Sequence, residues 1–228
     1  SHTVLLRHDG KVVPINDSAA PIRNEKGQSF GAVMVFRDIS RDTAQQSQIL
    51  YLSYHDPLTG LHTRRYLEEQ LQKLDNAQHL PLAVIMGDVN GLKITNDVFG
   101  HEKGDLLLKK VGETLRESCR KSDVLARWGG DEFLLLLPRA SLQDADRFIT
   151  RVKRGFEKKN GDGLQLSVSM GCAVKTEESV DLRTVMREAE EWMYHQKLLE
   201  SSSYRNSIIN TLLATLYEKS NATEEHAQ

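Results

Sequence analysis

Two short apolar runs, Val124–Trp128 and Phe133–Leu137, are separated only by Gly129-Gly130-Asp131-Glu132. Apolar runs of that length around a glycine-rich turn predict a β-hairpin, which commits the middle of the chain to a sheet. The flanking pattern fills in the rest. Tyr66, Leu67, Leu71 and Leu74 share one face of a predicted helix over Arg64–Leu74. Pro81 precedes a short apolar strand, Leu82–Met86, and Leu107, Leu108, Val111 and Leu115 are in helical phase within Asp105–Cys119. Leu142–Phe156 reads as a helix, Leu164–Val174 as a strand, and Leu182–Lys197 as a helix. The order α-β-α-β-β-α-β-α contains a split β-α-β unit, so an α+β sheet with helices on one or both faces is expected.

This core leaves residues over at both ends, since 228 residues correspond to roughly one and a half domains at about 150 residues each. At the N-terminus, Val4-Leu5-Leu6, the Asp9-Gly10 turn, Val12–Ile15, the Asn24–Gly27 turn and Phe30–Phe36 predict a three-stranded meander. Three strands bury too little to stand alone. They are either the tail of a larger domain or a hairpin decorating the core. Arg41–Tyr54 is polar, glutamine-rich and free of Gly and Pro, which predicts a connecting helix. A dimer-forming signalling helix and a solvated spacer share that composition. Beyond Lys197, Ile208, Ile209, Leu212, Leu213 and Leu216 form one helical stripe. Such a stripe packs back on the core, pairs with a second chain, or leads into a further domain.

Charge and cysteine content exclude several classes. Thirty basic against 32 acidic residues give a net charge of -2, which argues against an overall basic nucleic-acid binder. No apolar run approaches the roughly 18 residues of a membrane helix, and no secretory leader is expected. Cys119 and Cys172 are read as reduced thiols of a cytoplasmic protein, without reactive context. His55, His62 and His101 lack metal-ligand spacing, and Trp128 and Trp192 are assigned to core or hairpin packing.

The chemistry concentrates around the hairpin. Its glycines allow backbone to approach a bulky ligand, while adjacent Asp131 and Glu132 repel each other unless a cation offsets them. Asp88 ends an apolar strand and is followed by Val89-Asn90-Gly91-Leu92-Lys93 and then Asn96–Asp105. Carboxylates at a strand end and a facing turn suit a hard cation such as Mg²⁺, its shell completed by phosphates.

Asp56-Pro57-Leu58-Thr59-Gly60-Leu61, the Asp88–Asp105 segment and Gly129–Phe133 together resemble the GGDEF family of diguanylate cyclases, a bacterial signalling family, over residues 55–200. The resemblance implies a nucleotidyl-cyclase or polymerase-palm fold (ferredoxin-like) and condensation of two GTP into cyclic di-GMP and pyrophosphate. By motif, Asp88, Asp131 and the Val89 carbonyl would hold Mg²⁺ or Mn²⁺. Glu132 would be a catalytic acid beside Asp131, and Gly129 and Gly130 would border the substrate. Asn96 and Asp105 would read guanine: a carboxylate accepts from its N1–H and amino group, and adenine lacks the N1–H. Lys93 and Lys197 would neutralise phosphate charge. Each domain would hold one GTP, so the active species would be a homodimer. Arg120 and Asp123 occupy the family's Arg-x-x-Asp product-inhibition site, with a guanidinium suited to a guanine edge. The alternative reading is a weak or inactive module that binds GTP or cyclic di-GMP and regulates an adjacent phosphodiesterase.

Three positions depart from the family pattern. Thr63 replaces a usual Asn and is expected to affect a local cap, and Asn90 replaces a frequent second Asp. Ser201 stands where an Arg usually contacts phosphate, and Arg205-Asn206 follow only later. Residues 1–40 resemble the last strands of a PAS sensor, with 41–54 as its exit helix. The segment 201–228 resembles the opening of an HD-GYP phosphodiesterase domain.

Overall fold

The computed structural model describes residues 3–160 and 165–200. The chain divides into two units, Ser1–Ser53 and Tyr54–Gln228.

In the first unit, β1 (Thr3–Leu6), β2 (Val12–Arg23) and β3 (Ser29–Asp38) form an antiparallel sheet in sequence order. Both predicted turns are present. Gly10 and Gly27 take positive φ values of 80° and 77°, which only glycine adopts without strain. Asn24 Oδ1 accepts from the Lys26 and Gln28 amides, closing the second turn. The return strand extends to Arg23, beyond the predicted Ile15, because β3 is long enough to pair along all of it. Helix α1 (Ser40–Tyr54) follows, and Asp38 caps it by accepting from the Ser40 amide at 2.8 Å.

The second unit is a five-stranded sheet of β4 (His62–Thr63), β5 (Leu82–Val89), β6 (Val124–Arg127), β7 (Glu132–Pro138) and β8 (Val168–Lys175), ordered β4-β6-β7-β5-β8. Only β4 and β6 pair in parallel. Helices are α2 (Arg64–Leu74), α3 (Leu92–Phe99), α4 (His101–Ser118), α5 (Leu142–Lys159) and α6 over residues 182–200. The expected α+β architecture is present, with the hairpin in register.

Successive leucines of β7 show why its sequence is apolar throughout rather than alternating. Phe133, Leu135 and Leu137 pack into one core with Leu107, Val111 and Leu115 of α4 and Phe148 and Val152 of α5. Leu134 and Leu136 face the other side, against Leu67 of α2 and Ala189 and Met193 of α6. Both faces of the sheet are covered, so both sets of side chains must be apolar. Each fully buried Leu or Phe contributes about 1.5–3 kcal/mol of transfer free energy.

Three details differ from expectation. Helix α3 was not expected as a separate element: it has only eight residues and follows Gly91 in the left-handed region without a side-chain cap. The final strand begins at Val168 rather than Leu164, which lies outside the described residues. Trp192 is 59% exposed on α6 and belongs to no core, whereas Trp128 packs against the α2–α6 core as expected. The predicted stripe at Ile208–Leu216 lies outside the described residues.

Candidate active site

The hairpin register sets the site. Asp88, near the end of β5, is directly opposite Glu132, the first residue of β7. Asp131 precedes it in the turn, its carbonyl accepting from the Val89 amide at 3.0 Å. Three carboxylates therefore gather where the two strands meet. Asp88 is 5% exposed. Lys197 of α6 brings its Nζ to 2.7 Å from Asp88 Oδ1. That oxygen is buried without an aligned hydrogen-bond donor, so Lys197 acts on it as a point charge. Burial raises the Asp88 carboxyl above the ordinary carboxylate range and the Asp131 charge adds to this, with Lys197 opposing. Glu132 is raised for the same reasons: burial first, then Asp88, Asp131 and Glu190.

Lys197 reaches this point because α6 approaches β8 closely. A Cβ on Gly171 would lie 2.1 Å from the Met193 amide nitrogen and 2.3 Å from the Ala189 carbonyl oxygen. No other residue fits there without displacing the helix. Beside the carboxylates lies a cavity of about 580 Å³ lined by Asp88, Glu132, Arg187, Glu190, Tyr194 and Lys197 among others.

The residues fit a divalent cation. Asp88 Oδ1 is buried, faces the Lys197 ammonium at 2.7 Å without a hydrogen bond, and belongs to a residue in register with Glu132. Among the described residues no group of three or more His, Cys, Asp or Glu side chains is arranged to hold a metal ion. Two carboxylates must therefore be supplemented by backbone, solvent or ligand oxygens, as is usual for Mg²⁺.

The candidate base-reading residues lie on the pair α3–α4. Asn96 is half-buried, and its Oδ1 occupies the space above Gly104, where a Cβ would stand only 1.8 Å away. Gly104 thus makes room for the amide next to Asp105, which is exposed in α4. Lys93 is exposed in the first turn of α3.

Arg127 supports the turn in a way the sequence did not reveal. Its Nε and Nη2 donate to the Gly130 carbonyl at 3.1 and 2.7 Å, and its Nη1 lies 3.1 Å from Asp56 Oδ1. Burial pushes the Asp56 carboxyl up, but bonds from the Thr59 hydroxyl and amide and from Arg127 prevail and lower it. Asp56 thus holds the guanidinium that holds Gly130. Gly129 completes the turn by donating its amide to the Glu132 carbonyl at 3.3 Å. Both partners of the strut were visible as motif residues, but no local spacing signals a contact so distant in sequence.

Arg120 and Asp123 form a compact turn in which the Arg120 amide donates to Asp123 Oδ2 at 2.7 Å. They line a small pocket with Asp144, Phe148 and Arg151. Arg151 of α5 is a second guanidinium at this place, one that linear spacing gave no reason to select. It donates to the Ser118 carbonyl at 2.8 Å. Thr63 caps α2 through its side chain, as expected for that departure. Ser201, Arg205 and Asn206 lie outside the described residues.

Comparison with known proteins agrees with this architecture. Residues 53–202 match the family model of the diguanylate cyclase GGDEF domain, and the chain belongs to that family. Diguanylate cyclase DgcM of Escherichia coli K12 is 34% identical over 171 residues, covering 72% of this chain and 41% of that protein. Among solved structures, diguanylate cyclase SiaD from Pseudomonas aeruginosa, in complex with its activator SiaC, is 30% identical with a TM-score of 0.59. That likeness covers 70% of this chain and 65% of SiaD. The GGDEF domain of TpbB (YfiN) from Pseudomonas aeruginosa PAO1 is 34% identical with a TM-score of 0.57, covering 64% of this chain and 89% of that domain. The chain spans from 14% of one curated relative to 41% of another, so these proteins extend well beyond what it matches.

Proposed function

We propose that residues 55–200 catalyse condensation of two GTP into cyclic di-GMP and pyrophosphate, each domain of a face-to-face homodimer presenting one GTP. The observation that carries this reading is the pairing of Asp88 with Glu132 in register, with Lys197 Nζ 2.7 Å from Asp88, beside the Gly129-Gly130 turn.

Asn96 and Asp105 select guanine, since Asp105 accepts from donors that adenine does not present in that arrangement. Lys93 and Lys197 offset the triphosphate charge. Asp88, Asp131 and the Val89 carbonyl hold Mg²⁺ or Mn²⁺, which supplies Lewis-acid stabilisation of charge on the reacting phosphate. Glu132, its carboxyl raised by burial and its acidic neighbours, is placed to handle the proton of the attacking 3′-hydroxyl. The Arg127–Asp56 strut keeps the turn in place while the phosphates approach. Attack of one ribose 3′-oxygen on the other nucleotide's α-phosphorus forms each new ester bond and releases pyrophosphate.

Arg120, Asp123 and Arg151 form a site for the product, through guanidinium contacts to phosphate and guanine. The first unit serves as a PAS-type sensor segment feeding α1, and the domain works in the cytoplasm. Ser201 favours a second reading, in which the domain binds nucleotide with little turnover.

The test is a cyclase assay with GTP and Mg²⁺ across protein concentration. Second-order dependence of rate on protein supports a two-domain enzyme. Tight GTP binding without any cyclic di-GMP supports the regulatory module instead.

A further inference from the structure

The turn of α6 that follows Lys197 is tied to the sheet by a polar cluster at Asn90, the residue just past β5 and two beyond Asp88. Asn90 is 3% exposed and Ser169 is fully buried. The Asn90 amide nitrogen donates to Ser167 Oγ at 2.9 Å, and at 3.4 Å reaches Glu200 Oε2. Ser169 Oγ lies 3.0 Å from Asn90 Oδ1 and 2.7 Å from Glu200 Oε2. Its single proton serves one of these acceptors, and the shorter contact to the carboxylate is the charge-assisted one. Lys153 of α5 holds the other oxygen of Glu200 at 2.9 Å. One carboxylate thus gathers donors from the residue after β5, from β8 and from α5.

Glu200 follows Lys197 by less than one helical turn, about 4.5 Å along the axis. On the sheet side, Asn90 follows Asp88 by two residues. The Glu200 cluster and the Lys197–Asp88 pair are therefore adjacent cross-links between the same two elements. Packing at Gly171 fixes α6 at Ala189 and Met193, and the Glu200 cluster holds it again just beyond Lys197.

We infer that Glu200 is a positioning residue of the active site: with Asn90 and Ser169 it latches the turn of α6 that follows Lys197, so that the Lys197 ammonium stays over Asp88 and the triphosphate. Asn90 is suited to this as an amide. An Asp there would place two acceptor-only carboxylates around one hydroxyl, leaving one unsatisfied and both repelling. This inference rests on Lys197 being a phosphate-neutralising group in the proposed cyclase.

The experiment compares the wild-type chain with Glu200→Ala, Glu200→Gln, Asn90→Asp and the double variant N90D/E200Q, in steady-state cyclase kinetics and thermal unfolding. Glu200→Ala is expected to lower kcat/KM about tenfold, mainly through KM for GTP. Glu200→Gln keeps an acceptor oxygen for Ser169 and should stay within about threefold of wild type. Asn90→Asp should lose about tenfold, and E200Q should restore most of that loss in the double variant. If folded Glu200→Ala keeps its kcat/KM and KM, or if the Asn90→Asp loss persists unchanged in N90D/E200Q, the latch has no positioning role. Should Glu200→Ala not fold, the recovery in N90D/E200Q decides alone. Wild type without cyclase activity overturns the catalytic reading separately. Calorimetric titration of the same variants with GTP and Mg²⁺ then supports the latch if Glu200→Ala weakens binding about tenfold, and refutes it if affinities are equal.

Discussion

The two sheets of this chain are built from similar local signals and end in opposite environments. In β3, Phe30, Val33, Met34, Val35 and Phe36 are 48–71% exposed. In β7, Phe133 through Leu137 are 0–4% exposed. Ile15 is the one buried hydrophobic residue given by the described part of the first unit. Both hairpins have glycine-bearing turns, and their strands pair along their length apart from a bulge at Ile22/Arg23 in the first. Strand pairing is thus satisfied locally in either case, whereas burial depends on helices that arrive from elsewhere in the chain. The active site belongs to the sheet with both faces covered, where carboxylates can be held close together and away from water.

The largest expected effect tests this contrast directly. Phe133→Ala should destabilise the second unit by about 3–5 kcal/mol in denaturant unfolding, through lost burial and a cavity. Phe36→Ala, at a residue 52% exposed, should cost well under about 1 kcal/mol. Comparable losses at the two positions would break the comparison.

A smaller effect should separate function from stability within the buried sheet. Burial raises the carboxyls of both Asp88 and Glu132, and the charge of Asp131 adds to it by repulsion. Asp131→Asn should therefore slightly raise the melting temperature of the metal-free protein near neutral pH. Raised carboxyls favour the folded state below their unfolded pKa, and that contribution is lost as pH rises through the folded pKa. The same substitution should abolish the rise in melting temperature on adding Mg²⁺ and lower kcat by about 10²–10³. Thermal scans with and without Mg²⁺ check both; a variant that still responds to Mg²⁺ would remove Asp131 from the metal site.

The smallest effect concerns the strut beneath the turn. Asp56 is lowered, so its contribution is complete above the ordinary 3.8 and drains as pH falls below it. Asp56→Asn should be less stable than wild type at neutral pH and show a smaller further loss on acidification below about pH 4. Parallel urea unfolding series at several pH values would show this as converging curves. Curves that stay equally spaced would mean the carboxylate of Asp56 contributes nothing through its charge.

Much of the site was legible because its chemistry is carried by residues close in sequence. The turn Gly129–Glu132 and the strand end at Asp88 are each local, and their apolar flanks marked the strands. Helix α3 was not legible, because it is short and begins after Gly91 in the left-handed region without a side-chain cap. Arg151 beside Arg120, Asp56 beneath Arg127 and Glu200 against Asn90 were also invisible. Each is an ordinary charged residue on a helix or turn, indistinguishable from a solvated one until the partner element is placed.

By itself, the sequence determined the order of the core strands and helices apart from β4 and α3, the hairpin with its two acids, and the family to which the core belongs. Those follow from periodicity, turn chemistry and motif order, which are local properties. Only the tertiary structure decided that Asp88 faces Glu132, that Lys197 stands over Asp88, and that Glu200 meets Asn90 and Ser169. These contacts join residues far apart in the chain. They arise because packing α6 onto Gly171 of β8, with helices on both faces of the sheet, leaves those side chains one place to meet.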